Sequence, residues 1–233
     1  MPKLPHSLSA QRQEFGAARA DPDAAGFVLA GGLSRRMGRD KALVSFAGEP
    51  LIAHALRILR GAGLDPAIAG ARSALRAYAP VLEDLGPDLG PLAGICSALL
   101  KSQARWCVFL PVDLPLIPAS LLEALLRHAQ ITGRAVTLPA VSGFAQTFPV
   151  VLDRAVLPAF NLELQAGRRG CFSAFQAAAA ALHQAVTEVP VEVLAQSGRA
   201  AHPDGLPAFR WFLNVNTPAD LRLAEMLSPH PIA

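Results

Sequence analysis

The sequence predicts an α/β fold of three layers, with helices on both faces of a mostly parallel sheet. Two observations carry this. Short apolar runs that end at glycine or proline alternate along the chain with longer segments whose apolar residues recur at helical spacing. Just over half of the 233 residues are hydrophobic and only 6% are aromatic, so a large core is built from small aliphatic side chains that let helices approach a sheet closely.

Residues 1–24 mix prolines, alanines and balanced charges without periodicity. They are expected to be a loose N-terminal tail, with residues 25–233 as a single domain. The start lacks the compact apolar stretch of a signal peptide. The folded part is read from Gly26, where Phe27 to Ala30 forms a short apolar run before two glycines, as a buried parallel strand does. Ala42 to Phe46 reads as a short extended piece. Pro50 opens a helix that Gly61 and Gly63 end. Pro66 to Ala69 is a second strand, Leu92 to Ser102 a helix, and Trp106 to Leu110 the clearest strand. Pro118 to Gln130 is an amphipathic helix. Strands are expected at Ala135 to Leu138 and Phe148 to Leu152, and helices at Ala155 to Leu164 and Phe172 to His183. Val186 to Val193 reads as extended, with Pro190 marking an edge or break. Trp211 to Leu213 reads as a short aromatic strand. Thr217 then caps a last helix with Pro218 in its first turn.

The net charge of +3 is too small for the basic stripe of a nucleic-acid binder. The positive charge is instead local: Arg35, Arg36, Arg39 and Lys41 crowd one short stretch, which suits a small anionic ligand. Cys96, Cys107 and Cys171 have no metal-binding spacing and read as small core residues. Their odd number, without a secretory signal, leads us to expect reduced thiols and a cytoplasmic protein. The most apolar stretch, Val108 to Leu126, is interrupted by charges and prolines, so no membrane span is expected.

The segment from Leu29 to Lys41 carries the strongest chemical signal. It follows a strand directly. Gly31 and Gly32 remove the Cβ atoms that would keep a ligand from the backbone, and exposed N–H groups there can cradle phosphates. Arg36 adds a planar fork and Lys41 a mobile point charge. Neither the GxxxxGK[ST] nor the GxGxxG spacing occurs. Alone, the segment fits an anion site or a solvated basic turn. Asp113, just past the apolar strand end, fits a Mg²⁺ carboxylate or a turn cap before Pro115 equally well. Gly90-Pro91-Leu92-Ala93-Gly94, preceded by Asp84, reads first as a helix entry. Asn214 and Asn216, at alternate positions, point the same way if the segment is a strand, and their amides then suit metal-bound phosphate or water. His54 and His128 lie in helices and read as surface or packing residues rather than ligands.

In this order, LAGGxSxRMGxDK, GPLAG, DxP after a strand, and NVNTP resemble the molybdenum cofactor guanylyltransferases across about residues 26–227. The resemblance implies a Rossmann-like α/β/α nucleotidyltransferase fold. It also implies Mg²⁺-dependent transfer of GMP from GTP to molybdenum-bound molybdopterin, with release of pyrophosphate. On that pattern Leu29, Ala30, Gly31, Gly32 and Asp84 contact the nucleotide, and Lys41 binds its phosphates. Asp113 binds both GTP and Mg²⁺, with Asn214 and Asn216 in support. Catalysis is then assigned to Arg36, Lys41 and Asp113. Gly167-Arg168-Arg169 matches the half of the family where the pterin side lies. The resemblance further implies transient contact with molybdoenzymes or their chaperones. The chain departs from the pattern at Ile68 to Arg72, where one type of member carries an asparagine. Two other readings stand beside this one: a related enzyme using CTP or a sugar phosphate, and a nucleotide-binding adaptor without catalysis.

Overall fold

A computed structural model describes residues 21–30, 40–70, 73–82 and 90–228. Gly31, Gly32, Arg36, Asp84 and the N-terminal residues 1–20 lie outside the described residues.

The first strand, β1 (Ala24–Leu29), starts two residues ahead of Gly26. Asp21 and Asp23 already hold to the body: Gln130 donates to Asp21 at 2.7 Å and the Arg105 backbone N–H to Asp23 at 3.2 Å. Beyond the glycine loop, Asp40 caps a 3-10 turn (Lys41–Leu43) by accepting from the Ala42 N–H at 3.1 Å. The piece expected to be extended from Ala42 is therefore a turn first and a strand only at β2 (Ser45–Phe46), which pairs antiparallel with β3 (Glu49–Pro50). Pro50, with φ of −62°, leads into α1 (Leu51–Gly61).

Next come β4 (Pro66–Ala69) and β5 (Val81–Leu82), the latter too short to leave a periodic signal. Gly90, at φ +76°, takes a turn that a side chain would strain, and α2 (Pro91–Lys101) follows. The chain continues through β6 (Trp106–Pro111), α3 (Ala119–Thr132), β7 (Val136–Val141), β8 (Phe144–Ala145) and β9 (Val150–Asp153). It ends with α4 (Leu157–Gln165), α5 (Cys171–Ala181), β10 (Thr187–Pro190), α6 (Val191–Gln196) and α7 (Pro218–Leu227).

Two expectations are corrected. The extended run from Val186 to Val193 stops at Pro190, which has no N–H for the ladder and whose φ of −63° opens α6 at Val191. Trp211 to Leu213 is not a strand. A 3-10 turn (Ala208–Arg210) precedes it, the Trp211 N–H bonds back to the Ala208 carbonyl at 3.2 Å, and its indole N–H donates to Leu206 at 2.8 Å. These local bonds use the donor that a ladder would require.

The main sheet runs β10-β7-β9-β6-β1-β4-β5, with β8 hydrogen-bonded to β7. Its pairs are parallel except where β9 lies antiparallel to β6 and β7, and β8 to β7. Alternation along the central strands divides the core. Val28, Val108 and Leu110 pack with α1, α3, α6 and α7, while Phe27, Leu29, Cys107 and Phe109 pack with α2, α4 and α5. Phe27 and Phe109 stack at 5.2 Å on the second face. The cysteines behave as core residues: burial pushes the Cys96 thiol up to about 12 and those of Cys107 and Cys171 up to about 11. In the register of the centre, Leu29 of β1 faces both Ala69 of β4 and Pro111 of β6, so three parallel strands end level. That edge is where an open α/β sheet presents its ligand crevice.

Thr217 caps α7 as expected, within a reciprocal pair. Its hydroxyl accepts from the Asp220 N–H at 3.2 Å, and Asp220 Oδ2 accepts from the Thr217 N–H at 2.8 Å. Replacing Thr217 by alanine is expected to cost about 1 kcal/mol. The check is a urea unfolding curve, which should move to a lower midpoint at unchanged slope; an unmoved midpoint would show that the cap carries no stability.

Candidate functional site

Three segments far apart in sequence meet beyond the level strand ends. Lys41 enters on the 3-10 turn that Asp40 caps, Asp113 sits two residues past β6, and Asn216 immediately precedes the α7 cap. The Lys41 ammonium donates to Asp113 Oδ2 at 2.8 Å and to the Asn216 amide oxygen at 2.7 Å. The lysine side chain is 13% exposed and that of Asp113 22% exposed, so this pair is partly shielded from water yet open to a ligand. Both contacts are charge-assisted, and Coulomb attraction in that setting exceeds that of a fully solvated pair.

The backbone around each group is tied down. The Val112 N–H donates to the Leu29 carbonyl at 3.1 Å, and the Ala30 N–H to the Ala69 carbonyl at 3.1 Å, which carries the β1 neighbour contacts one residue past the strands. The Val215 N–H donates to the Asp113 carbonyl at 2.9 Å, fastening the asparagine segment onto the carboxylate turn. Asp220 holds the far side, accepting from the Asn216 N–H at 3.0 Å. That bond and the Thr217 hydroxyl hold the Asp220 carboxyl below the usual carboxylate range.

Lys41, Asp113 and Asn216 are thus brought together; both asparagines are exposed, and it is the Asn216 amide oxygen that the lysine reaches. The alternate-position argument presumed a strand. In the observed turn the residues between the asparagines do other work: Val215 is buried and only Asn216 meets the lysine. Leu29 and Ala30 are buried at the end of β1, with the Leu29 carbonyl and Ala30 N–H already bonded to neighbouring segments. Gly31, Gly32, Arg36 and Asp84 lie outside the described residues. On the other half of the molecule, Arg168 folds back onto Glu163 with two contacts of 2.7 and 2.6 Å. Asp220 is a contributor that the sequence reading missed. Its signal was available as the acidic residue three positions after the capping threonine.

His54 differs from a simple packing residue. It is 1% exposed within the apolar face of α1, with Phe46 edge-on at 4.9 Å. Its Nε2 lies 2.7 Å from the Pro115 carbonyl oxygen, and its Nδ1 lies 2.7 Å from Arg57 Nη2 and 3.2 Å from Glu49 Oε1. A carbonyl only accepts, so Nε2 carries the proton; Arg57 donates to Nδ1, so the ring is neutral. Burial, the nearby Arg57 charge and exclusion of water push the His54 pKa below its ordinary value, against the pull of Pro115 and Glu49. Burial raises the Glu49 carboxyl, but the hydrogen bonds and charge of Arg57 outweigh it and hold it below the usual range.

A cleft of about 660 Å³ at the opposite edge of the sheet is lined by Asp23, Leu99, Arg105, Asp153 and Arg154. Its arginines are engaged, Arg105 with Asp153 at 2.9 Å and Arg154 with the Ser102 carbonyl at 2.9 Å.

A family model described as the MobA-like NTP transferase domain matches residues 26–181. The chain belongs to this family. It is therefore a nucleotidyltransferase. Among curated relatives of this MobA-like chain, the molybdenum cofactor guanylyltransferase of Pseudomonas putida (strain F1) is 41% identical over 155 residues, covering 64% of this chain and 81% of the relative. The probable molybdenum cofactor guanylyltransferase of Haloferax mediterranei is 32% identical over 212 residues, 87% of this chain and 93% of the relative. Among solved structures, the molybdopterin-guanine dinucleotide biosynthesis protein A of Archaeoglobus fulgidus superposes with a TM-score of 0.70 at 23% identity, covering 88% of this chain and 98% of that one. The 2-C-methyl-D-erythritol 4-phosphate cytidylyltransferase of Thermus thermophilus shares the fold at a TM-score of 0.61 and 19% identity. Among the described residues of this MobA-like chain, no helix is long and apolar enough to cross a membrane, and no three His, Cys, Asp or Glu residues converge on one metal position.

The buried histidines set a pH dependence. His202 is also pushed below its ordinary value, by burial against the pull of Asp204. Both therefore take up a proton less readily in the fold than in the unfolded chain, which protonates them as pH falls through about 6.5. The unfolded state then binds more protons, so stability is full above that value and declines below it. Urea midpoints taken from pH 7.5 to pH 5 are expected to fall in wild type and to fall less steeply in His54→Gln. Equal slopes would remove His54 from this account.

Proposed function

We propose that the chain transfers GMP from GTP to molybdenum-bound molybdopterin, forming the guanine dinucleotide cofactor and releasing pyrophosphate. One observation carries this reading. Lys41, Asp113 and Asn216 converge at the strand ends of a chain that is 32% identical, over 87% of its length, to a relative named as a probable molybdenum cofactor guanylyltransferase.

In this reaction an oxygen of the pterin phosphate attacks the α-phosphorus of GTP. The new P–O bond forms as the bond to the bridging α–β oxygen breaks, and pyrophosphate leaves with that electron pair. The protein's task is positioning and neutralisation of charge rather than covalent chemistry. Lys41 presents its ammonium to the phosphates, exchanging Asp113 and Asn216 for phosphate oxygens. Leu29, Ala30, Gly31, Gly32 and Asp84 are assigned to the guanine nucleotide, and Arg36 to the departing charge. Asn214 flanks the segment that carries Asn216.

Mg²⁺ suits the donors present. The Asp113 carboxylate and the Asn216 amide oxygen are hard ligands aimed at one position that a positive charge, the Lys41 ammonium, occupies. A single carboxylate is enough for this ion, which takes its remaining ligands from water and substrate phosphates. Asp113 and Asn216 would hold it, and it would supply neutralisation of the phosphate charge.

The test is pyrophosphate release with GTP, CTP, ATP and UTP, each with and without molybdopterin and Mg²⁺. Release is expected with GTP only when both are present, and turnover with CTP alone would overturn the guanine assignment. Asp113→Ala should lose turnover by at least about a hundredfold with an unchanged circular dichroism spectrum. Lys41→Ala should raise the KM for GTP roughly ten- to hundredfold, the loss of one charge-assisted phosphate contact. Unchanged GTP kinetics in that variant would remove Lys41 from the phosphate site.

A further inference from the structure

We infer that His54 is a positioning residue for Asp113, acting through the backbone of the turn that carries the carboxylate. The inference rests on the nucleotidyl-transfer reading of the site. The turn Asp113-Leu114-Pro115 leaves β6 and must hold one carboxylate at a fixed angle beyond the strand ends. Its first residue is fastened on the strand side by Val112 to Leu29, and on the outer side by the Val215 N–H to the Asp113 carbonyl at 2.9 Å. Pro115 has no N–H of its own, and Leu114 beside it makes only long backbone contacts, its N–H to the Pro111 carbonyl and its carbonyl from the Ile117 N–H, both at 3.4 Å, so the short bond at this end of the turn is the one to the Pro115 carbonyl. The group that takes this carbonyl is His54 Nε2, at 2.7 Å, from a helix 61 residues earlier in the chain.

The geometry is that of a built support. Every other member of the inward face of α1, from Leu51 and Ile52 to Ala55, Leu56, Ile58 and Leu59, is apolar. A histidine there costs desolvation, and leucine would fill the place without it. What leucine lacks is a donor for Pro115. The remaining polar atoms fix the ring so that this donor is always Nε2–H. Arg57 donates to Nδ1 at 2.7 Å and is itself held by Glu49 at 3.1 Å through Nε and 2.6 Å through Nη2. Glu49 lies in β3, so the β2–β3 hairpin, α1 and the carboxylate turn form one chain of contacts. Through the 3-10 turn that packs on α1, the same helix also supports Lys41, the cation that Asp113 holds. One helix therefore sets the relative position of both charged partners.

Outer groups of this kind act on charged ligands by orientation, and their loss typically costs ten- to hundredfold in activity. The test compares His54→Leu, which keeps the volume and loses the donor, with His54→Gln, which keeps an amide N–H able to reach Pro115. Steady-state pyrophosphate release should show kcat for His54→Leu lowered roughly ten- to hundredfold with KM for GTP changed less. His54→Gln should recover most of kcat. A leucine variant with wild-type kcat, or a glutamine variant as impaired as leucine at equal melting temperature, would overturn the inference.

A second readout does not depend on turnover. Hydrogen exchange at the Val215 amide, which bonds to the Asp113 carbonyl, should quicken in His54→Leu relative to the amides of β6 and stay slow in His54→Gln. Equal protection in all three proteins overturns the inference. Should His54→Leu not fold, ¹⁵N shifts of the histidine ring in wild type decide it: the Nε2–H tautomer is expected, and the Nδ1–H tautomer overturns it. If wild type releases no pyrophosphate from any nucleotide, the functional reading fails, while the exchange and tautomer results still judge the support of the turn.

Discussion

The contact on which the site depends is one ammonium shared between two oxygens. Lys41 joins Asp113, 72 residues on, to Asn216, 175 residues on, and each of the three stands at the end of a different stretch of secondary structure. A charge placed this way needs a frame that fixes three loops at once. Here the frame is the level ending of β1, β4 and β6, since residues that leave parallel strands at the same height can meet beyond them. A slip of one residue in the β1–β6 register would move Asp113 by over 3 Å and turn the core face of β6 outward. The same pairing thus specifies both the core and the distance from lysine to carboxylate.

The two faces of the sheet contribute unequally to this end of the molecule. The face with α2, α4 and α5 stacks Phe27 on Phe109, holds the three cysteines and also buries Ser97, Ser102 and Glu163. The other face, with α1, α3 and α7, holds buried polar contacts beneath the site: His54 against Pro115, Trp211 against the Leu206 carbonyl, and His202 beside Trp211. These groups all lie under the segments that bring Asp113 and Asn216 to Lys41. Buried polar groups cost more than apolar ones unless each is matched, and these are matched.

A site assembled this way suits phosphoryl chemistry. The reacting groups belong to the substrates, and the protein contributes placement and charge. The cation between Asp113 and Asn216 is the lysine itself, and its partners are the hard oxygens that a magnesium ion accepts. Asp220 and Val215 hold the backbone of the asparagine segment by bonds that do not involve the lysine.

Much of this was legible in the chain. Apolar runs ending at glycine or proline give the strands, and the spacing between them gives the helices, because those patterns follow from local geometry and burial. Asp113 and Lys41 could be read as a pair of interest because each directly follows such a strand or its loop, and the ordered motifs led to the family. The sequence could not say that β9 runs against its neighbours, because direction depends on how the connection crosses the sheet. It could not separate Asn216 from Asn214, since the answer lay in a turn whose N–H groups bond locally, Trp211 to the Ala208 carbonyl and Asn216 to Asp220. Nor could it make His54 more than a packing residue, because its partner is a carbonyl 61 residues away and backbone acceptors leave no mark on composition. The sequence by itself determined which residues carry charge and which segments are strand or helix; tertiary structure alone decided which of them touch, because contacts across a sheet are set by register and crossing, and neither is a local property of the chain.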